Sequence, residues 1–307
     1  MGDPLACDDA IAERRYSYAR AAAAEGDWTT AAEVFEQALE RAPRWSAAWF
    51  ALGEARERLG DASGAAAAFR TARETDPSDA LGAGGRLALL GEGPMRGALS
   101  PAYVARLFDD YASRFETHLR DELHYRGPEL ITAALDRLDP IRRFSRCLDL
   151  GCGTGLAGAA LRGRVDALIG VDLSPRMVAE ARRRGIYDVL EVGDAVALLA
   201  SGPAGAFDLI VAADVLVYIG DLRPAFRAVA RALANDGQFA FSLESFDGEG
   251  FRLGAAMRFA HSESHVRRTA RAASLRPVVL AAEWARRERG LETPGLLGVF
   301  ARDPPRR

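Results

Sequence analysis

The chain has 307 residues, of which 49% are hydrophobic and 27% are charged, and its formal net charge is −3. This composition is that of a folded globular protein and excludes a disordered chain. The small negative net charge also excludes a general electrostatic attraction of the protein to nucleic acid or anionic membrane. All 40 basic residues are arginine, so a phosphate-binding-loop lysine and a Schiff-base lysine are excluded as well.

Cysteine usage and the N-terminal segment give a first expectation about location. Cys7, Cys147 and Cys152 show neither a disulfide framework nor the spacing of a metal site. The segment MGDPLACDDA lacks a charged-then-apolar signal region, and no apolar run is long enough to span a membrane. We therefore expect a cytoplasmic protein that binds no metal, no membrane and no nucleic acid.

An internal repeat of 34 residues occupies the first part of the chain. The copy that begins at Ser46 has aromatic, small and proline residues at the positions of a helical hairpin: Trp49, Leu52, Gly53, Ala65, Phe69, Ala72 and Pro77. The preceding copy has equivalents of most of them: Tyr18, Ala19, Ala31, Phe35, Ala38 and Pro43. Small residues allow close helix approach, aromatic rings fill the groove, and proline ends the second helix. The pattern resembles the tetratricopeptide repeat (TPR) and predicts an all-α domain over residues 1–93, with two repeats and a partial cap.

A second domain is predicted over residues 94–307. The Gly- and Pro-rich segment 91–101 indicates a linker, and helical patterns over 101–138 predict helices at the start of the domain. Apolar segments that predict strands then alternate with helical patterns, at 146–150, 167–172, 188–192, 207–212, 238–243, 278–283 and 295–301. This alternation predicts an α/β fold with a mostly parallel sheet covered on both faces.

The most informative segment is CLDLGCGTGLAGAAL, in which a strand that contains Asp149 leads through Gly151, Gly153 and Gly155 into an alanine-rich helix. Glycine tolerates positive φ and lets a ligand approach the backbone closely. A dinucleotide-binding turn requires G-x-G-x-x-G, and here the third glycine comes one residue early. The form DLGCGTG resembles motif I of class I S-adenosylmethionine (SAM) methyltransferases. The resemblance implies a Rossmann-like fold and SAM as the cofactor.

That resemblance also implies cofactor contacts at the ends of the next two strands. Asp172, followed by Leu173, would hold the ribose hydroxyls, because one carboxylate can accept two hydrogen bonds from a vicinal diol. Asp194 and Ala195 would meet the adenine through the carboxylate and the following backbone N–H. The alternatives are a helix cap for Asp172 and an ordinary turn aspartate for Asp194.

Further cofactor contacts are expected around the first and fourth strands. Asp149 is a carboxylate inside an apolar strand, so we expect it to orient glycine-turn amides or the amino group of the cofactor. Cys152 lies inside the turn, where we expect a structural residue next to the cofactor. Ala213 and Asp214 end the fourth strand and would face the methionine portion. The Asn/Asp-Pro-Pro-aromatic stretch of nucleic-acid amino-methyltransferases is missing after them.

The segment YVARLFDDYASRFETHLRDELHY resembles the lid helix of small-molecule methyltransferases of the quinone and malonyl-carrier-protein types. It implies that Tyr111 covers the cofactor, and core packing is the alternative. His118 and His124 lie in the same segment, and His261 follows the fifth strand. Each of these histidines is a candidate general base, since imidazole titrates near neutrality. A structural role is the alternative for all three.

Together these features predict an enzyme that transfers a methyl group from SAM to a small-molecule or carrier-protein-borne acceptor. In-line displacement of this kind depends on positioning and exclusion of water and needs no metal. The TPR module would bind a protein partner or pack on the catalytic domain. The alternative is a TPR adaptor whose SAM-binding domain senses the cofactor without catalysis.

Overall fold

The computed structural model describes residues 5–303. Residues 1–4 of the first predicted domain and residues 304–307 of the second lie outside the described part of the chain. The chain forms two compact units that divide between Tyr103 and Val104, inside one helix. The sequence-based boundary at residues 93 and 94 falls in the loop before that helix.

The first unit contains five helices: α1 (Ala10–Ala24), α2 (Trp28–Arg41), α3 (Ser46–Arg58), α4 (Ala62–Thr75) and α5 (Ala83–Leu89). The first four form two helical hairpins. The second helix of each hairpin begins at an aspartate, Asp27 or Asp61, whose carboxylate accepts a backbone N–H of the first turn. The equivalent caps show that both copies of the repeat fold in the same way.

Packing inside the hairpins explains the repeat pattern. Phe35 and Phe69 are fully buried between helices. A Cβ atom on Gly53 would lie 2.6 Å from the Phe69 ring, so only glycine lets α3 and α4 approach this closely. The predicted partial cap is the single helix α5, which begins after Gly82 in the left-handed conformation (φ +79°).

The remaining helices are α6 (Pro101–Tyr111), α7 (Phe115–Asp121), α8 (Gly127–Leu138), α9 (Leu156–Leu161), α10 (Pro175–Arg184), α11 (Ala195–Ser201), α12 (Leu222–Ala232) and α13 (Glu263–Ala272). Single 3₁₀ turns occur at Ala112–Arg114, Arg162–Arg164 and Leu216–Tyr218. The strands are β1 (Phe144–Leu150), β2 (Val165–Asp172), β3 (Val189–Val192), β4 (Phe207–Ala213), β5 (Leu233–Ser245), β6 (Phe251–Leu253), β7 (Phe259–His261), β8 (Leu275–Glu283), β9 (Arg287–Glu288), β10 (Leu291–Glu292) and β11 (Gly295–Arg302).

The strands of the second unit form one large sheet in the order β3-β2-β1-β4-β5-β11-β8. Neighbours from β3 to β5 are parallel, and β11 runs antiparallel to both β5 and β8. All seven predicted strands are present. The short strands β6 and β7 extend the sheet beside β5, and β9 and β10 form a separate small hairpin.

Helices cover both faces of the sheet, as predicted. Phe226 on α12 and Val266 on α13 pack with Phe239 and Phe241 on one face. On the other face, residues of α8 and α9 pack with Cys147, Leu209 and other sheet residues. The apolar side of α8 is part of the core, and the role of residues 101–138 as lid helices stays a prediction.

The direction of the parallel strands places the site. The chain moves outward in opposite directions from β1 and β4, and ligands of open α/β sheets bind beyond the carboxyl ends of the strands at such a point. The loops after β1, β2, β3 and β4 all lie at this edge. Within residues 5–303, no helix is long and apolar enough to cross a membrane.

Candidate functional site

The turn after β1 contains three glycines at every second position, and all three have positive φ: +62° at Gly151, +53° at Gly153 and +94° at Gly155. A Cβ atom at Gly151 would lie 2.5 Å from a methyl group of Val215, so a side chain does not fit there. Around Gly153 the nearest atom to such a Cβ belongs to Phe115, at 3.8 Å. The turn therefore presents bare backbone toward the carboxyl edge of the sheet.

Asp172, at the end of β2, holds this turn in place. Its Oδ2 accepts the backbone N–H of Gly153 at 2.9 Å, and its Oδ1 accepts that of Ser174 at 2.8 Å. Burial raises the pKa of Asp172, while the two backbone donors lower it. Ser174, and not Asp172, caps α10, and Leu173 lies half-buried between them. The contact of Asp172 and Leu173 with ribose stays a prediction.

Asp194, after β3, is exposed and caps α11. Its carboxylate accepts the backbone N–H groups of Val196 and Ala197 at 2.8 and 3.2 Å. The neighbouring Gly193 donates its N–H to the carbonyl oxygen of Asp172 at 2.9 Å, which links the ends of β2 and β3. These contacts agree with the turn-aspartate alternative, and the adenine contact of Asp194 and Ala195 stays a prediction.

Asp149 is buried in the centre of the sheet, and the partner found there was not anticipated from the sequence. Its Oδ2 accepts the hydroxyl of Tyr187 at 2.7 Å, and its Oδ1 has no hydrogen-bond partner in the described part of the chain. Burial raises the pKa of Asp149 to about 7, and the Tyr187 hydrogen bond opposes that shift. Gly158 and Gly170 leave room for the Tyr187 ring. The Gly153 amide is held by Asp172, not by Asp149, and a cofactor contact of Asp149 stays a prediction.

Helix α6 is fixed over the loops that follow β2 and β4. Asp109 accepts the hydroxyl of Ser174 at 2.5 Å and the backbone N–H of Arg176 at 3.1 Å. The Phe108 ring packs edge-on against Tyr218, with 5.3 Å between the ring centroids. These contacts confine the end of α6 to the carboxyl edge of the sheet.

Helix α7 continues this cover over the glycine turn. Phe115 is the residue nearest the open side of Gly153. Glu116 pairs with Arg184 at 2.5 Å, and Arg184 also donates to the carbonyl oxygen of Thr154 at 2.6 Å. The segment from α6 to α7, which we call the cover, therefore contacts the loops after β1, β2 and β4.

A group of charged side chains, which we call the charged cluster, lies where β4 and β5 end. Arg286 is 5% exposed and forms ion pairs with Asp214, Glu244 and Glu288. Arg258 pairs with Glu244 and Glu288 in turn. Burial lowers the pKa of Arg286, and Glu288 opposes this shift. The cluster brings two cations and three carboxylates together beside the strand ends.

Asp214 occupies the predicted place after β4, but its surroundings were not predicted. Its backbone has a positive φ of +62°, and its N–H donates to the hydroxyl of Ser242 at 3.0 Å. Ala213 is the last residue of β4 and is half-buried. The sequence around Arg286, WARRERG, is typical of an exposed charged loop, so it gave no signal that this arginine is buried.

The three candidate histidines lie in different environments. His118 is hydrogen-bonded through Nδ1 to the hydroxyl of Tyr111. His124 is exposed and has a φ of +45°. His261 is fully buried, its ring stacks on His265 at 5.8 Å, and neither of its ring nitrogens has a hydrogen-bond partner among the described residues. Burial lowers the pKa of His261 to about 4. Of the three, His118 is the one joined to another predicted site residue.

Cys152 is unsuited to nucleophilic chemistry. It is 5% exposed, and its backbone N–H donates to the carbonyl oxygen of Val171 at 3.0 Å. Burial raises the pKa of the thiol, which disfavours the reactive thiolate. Across residues 5–303, the His, Cys, Asp and Glu side chains form no group of three or more that could hold a metal ion.

Comparison with known families identifies both parts of the chain. A family model described as a tetratricopeptide repeat matches residues 16–80, and one described as a methyltransferase domain matches residues 148–241. The sheet order and the glycine turn are those of the Rossmann-like methyltransferase fold. The chain therefore consists of an N-terminal tetratricopeptide-repeat module and a C-terminal methyltransferase domain.

Among the similar curated proteins is a malonyl-[acyl-carrier protein] O-methyltransferase from Enterobacter lignolyticus, 33% identical over 47% of this chain and 54% of the relative. A ubiquinone biosynthesis O-methyltransferase from Xanthomonas oryzae is 30% identical over 39% of this chain and 51% of the relative. The chain thus spans about half the length of these relatives.

The fold has counterparts among solved structures. One is 1,6-didemethyltoxoflavin-N1-methyltransferase from Burkholderia thailandensis, crystallised with bound 1,6-didemethyltoxoflavin and S-adenosylhomocysteine. It has a TM-score of 0.50 and 20% sequence identity, and the match covers 66% of this chain and 89% of that one. This similarity establishes the fold of the second unit.

Asp149→Asn tests the buried carboxylate. The pKa of Asp149 is about 7 in the folded protein, which is above its value in the unfolded chain. The protonated carboxyl group therefore contributes fully to stability below about pH 4, and this contribution is lost as the pH rises through 7. We expect the free energy of unfolding of the variant, relative to the native protein, to increase between pH 4 and 8. Urea denaturation at several pH values measures this. The exposed Asp166→Asn on the same sheet is the control, and equal pH dependence in both variants would contradict the assignment.

Arg286→Met tests the charged cluster. The substitution leaves Asp214 and Glu244 without their buried cation, so we expect the free energy of unfolding to fall by about 3–5 kcal/mol. Arg287→Met changes the adjacent arginine, whose side chain is 41% exposed and pairs with Glu292, and should cost under about 1 kcal/mol. Urea denaturation at pH 7 compares the two. Equal losses would show that the Arg286 pairs contribute no more than a surface pair.

Proposed function

We propose that the second unit transfers a methyl group from S-adenosylmethionine to a small-molecule or carrier-protein-borne acceptor. The observation that supports this most is the hydrogen bond between the buried Asp172 and the amide of Gly153. This hydrogen bond joins the aspartate at the end of β2 to the glycine turn after β1, in which the glycines have positive φ. Both lie at the edge where open α/β sheets bind their ligands. The methyltransferase names of the two sequence relatives support the same activity.

The residues at this edge fit the cofactor. The oxygens of Asp172 have lone pairs beyond those used by the two amides, so the carboxylate can also accept ribose hydroxyls. Gly153 and Gly193 present open backbone, with no heavy atom closer than 3.8 Å to a Cβ on the former and none within 4 Å on the latter. Asp194 and Ala195 would meet the adenine. When bound, SAM supplies an electrophilic methyl group on its sulfonium.

The chain contributes positioning and exclusion of water. The cover contacts three of the loops at the site and would keep water from the reacting atoms. Ala213 and Asp214 mark the end of β4, where the acceptor side of the site would lie. The charged cluster fixes Asp214 by a buried ion pair, which reduces movement of this strand end.

The TPR module is proposed to bind a protein partner. An ion pair between Arg20 and Glu54 links α1 to α3, and one between Arg86 and Glu54 links α5 to α3. These helices therefore share a polar, mixed-charge face, which suits a charged peptide segment. A partner bound there would be able to bring a carrier-borne acceptor to the enzyme.

Asp172→Asn tests the cofactor site. The amide keeps one acceptor oxygen and loses the charge, so we expect the affinity for S-adenosylhomocysteine to fall at least about tenfold, through loss of charge-assisted hydrogen bonds. Isothermal titration calorimetry with the full chain measures it. Asp166→Asn, at the other end of β2 and exposed, is the matched control and should bind like the native protein.

Three outcomes would go against parts of the proposal. A native protein that binds neither SAM nor S-adenosylhomocysteine would contradict the cofactor assignment. Binding that is accompanied by no labelled methyl product from any cell-extract fraction would favour the sensing adaptor. Equal affinity in Asp172→Asn and the native protein would refute the role of Asp172 alone.

A further inference from the structure

Three side chains lie in sequence here: Tyr111 and His118 of the cover are hydrogen-bonded, and Glu122, directly after α7, faces the other side of the His118 ring. The Tyr111 hydroxyl bonds to Nδ1 of His118, and the opposite ring nitrogen, Nε2, lies 3.5 Å from Oε2 of Glu122. Because Nε2 faces a carboxylate, the neutral ring has its proton there, and Nδ1 accepts the Tyr111 hydroxyl. A hydroxyl, an imidazole and a carboxylate in this order can draw a proton away from the hydroxyl oxygen.

Tyr111 packs beside the residue that covers the glycine turn. Its ring lies edge-on against Phe115, with centroids 5.3 Å apart, and Phe115 is the residue that faces Gly153. The charges of Arg258 and Arg286 in the charged cluster lower the pKa of Tyr111. The hydroxyl is therefore near the place where a cofactor on the turn would meet an acceptor beyond β4.

The surroundings of Tyr111 keep its hydroxyl protonated at neutral pH. Burial raises the pKa of Tyr111, and Glu122 adds to this effect, while Arg114, Arg258 and Arg286 oppose it. A protonated tyrosine cannot act as a base alone. It can pass a proton on only when a neighbour accepts its own, and His118 is placed to do so.

We propose that Tyr111 is a catalytic residue that accepts the proton of a hydroxyl substrate, and that His118 and Glu122 are positioning residues that receive its own proton. This inference rests on the proposed methyl transfer. As the acceptor oxygen bonds to the methyl group, the sulfur–methyl bond breaks and its electron pair stays on sulfur. The substrate proton moves to the Tyr111 oxygen, and the Tyr111 proton moves to Nδ1 of His118. The resulting imidazolium faces the Glu122 carboxylate.

This relay specifies the chemical class of the acceptor. A hydroxyl group must lose a proton on methylation, whereas a carboxylic acid is already ionised at neutral pH and needs no base. The rings around the relay, Phe108, Phe115 and Tyr218, provide apolar faces for a flat substrate. The substrate class is therefore a hydroxylated aromatic molecule. The name of the ubiquinone biosynthesis O-methyltransferase from Xanthomonas oryzae also specifies an oxygen acceptor.

Nuclear magnetic resonance of the full chain with ¹⁵N-labelled histidine and bound S-adenosylhomocysteine tests the geometry without turnover. We expect neutral His118 to be protonated at Nε2, and Tyr111→Phe to shift its ¹⁵N signals. Tyr18→Phe, a 62% exposed tyrosine in the TPR unit, is the matched control and should leave them unchanged. A His118 protonated at Nδ1, or one indifferent to Tyr111→Phe, would overturn the relay.

Methyl transfer from labelled SAM to catechol, with benzoate as the carboxylate probe, tests the chemistry. We expect catechol to be methylated, and Tyr111→Phe to lower kcat about 100-fold or more with little change in KM for SAM. His118→Gly should lose a similar factor and regain activity with added imidazole, because the His118 side chain is 34% exposed and accessible. Transfer to benzoate alone, transfer to neither probe, or an unchanged kcat in Tyr111→Phe would overturn the inference.

Failure of the proposed function and failure of the relay give different results. Absence of S-adenosylhomocysteine binding by the native protein refutes the proposed function itself. Binding with normal affinity, together with failure of either relay readout, refutes the relay or its hydroxyl acceptor and leaves the cofactor site intact.

Discussion

The hydrogen bond from the Gly153 amide to Asp172 is the constraint on which the rest of the site depends. It joins the turn after β1 to the end of β2, and the carbonyl oxygen of Asp172 also accepts the N–H of Gly193 after β3. Three loops are thus linked through one buried residue. A buried carboxylate is expensive to desolvate, and here two backbone N–H groups compensate for that cost. The glycine turn keeps its positive-φ conformation because this bond fixes it.

The other side of the site depends on a second buried charge, Arg286. Its ion pairs fix the ends of β4 and β5. The residues beside it are bonded to the segment that follows the cover: Arg126 donates its N–H to the carbonyl oxygen of Ala285 at 2.8 Å, and Arg287 donates its N–H to that of Leu123 at 2.7 Å. The chain directly after the cover is thus attached next to Arg286, while the cover itself contacts the loops after β1, β2 and β4.

The fold and the position of the site could be predicted from the sequence because both depend on local patterns. Long apolar strands, the 34-residue repeat and the spacing of Gly151, Gly153 and Gly155 each have a periodic or positional signal. The strands of two or three residues, β6, β7, β9 and β10, have no such signal, and neither does a long-range pair such as Asp149 with Tyr187. The burial of Arg286 could not be predicted either, since two of its three partners, Glu244 and Asp214, lie 42 and 72 residues away.

The packing of α8 in the core could not be predicted for a related reason. An amphipathic pattern shows that one side of a helix is buried, but it does not identify the surface that buries it. The link between Tyr111 and His118 was equally hidden, because a seven-residue separation crosses the 3₁₀ turn between α6 and α7. Both residues were selected from the sequence for separate roles. Their hydrogen bond is the new element that the structure adds.

A crystal structure of the full chain with S-adenosylhomocysteine would show where the cofactor binds. We expect the ribose against Asp172, the adenine beside Asp194, and the sulfur within reach of a pocket lined by the Tyr111 hydroxyl and Asp214. Adenosine bound at any other edge of the sheet, or a sulfur atom that faces away from Tyr111, would contradict the proposed site.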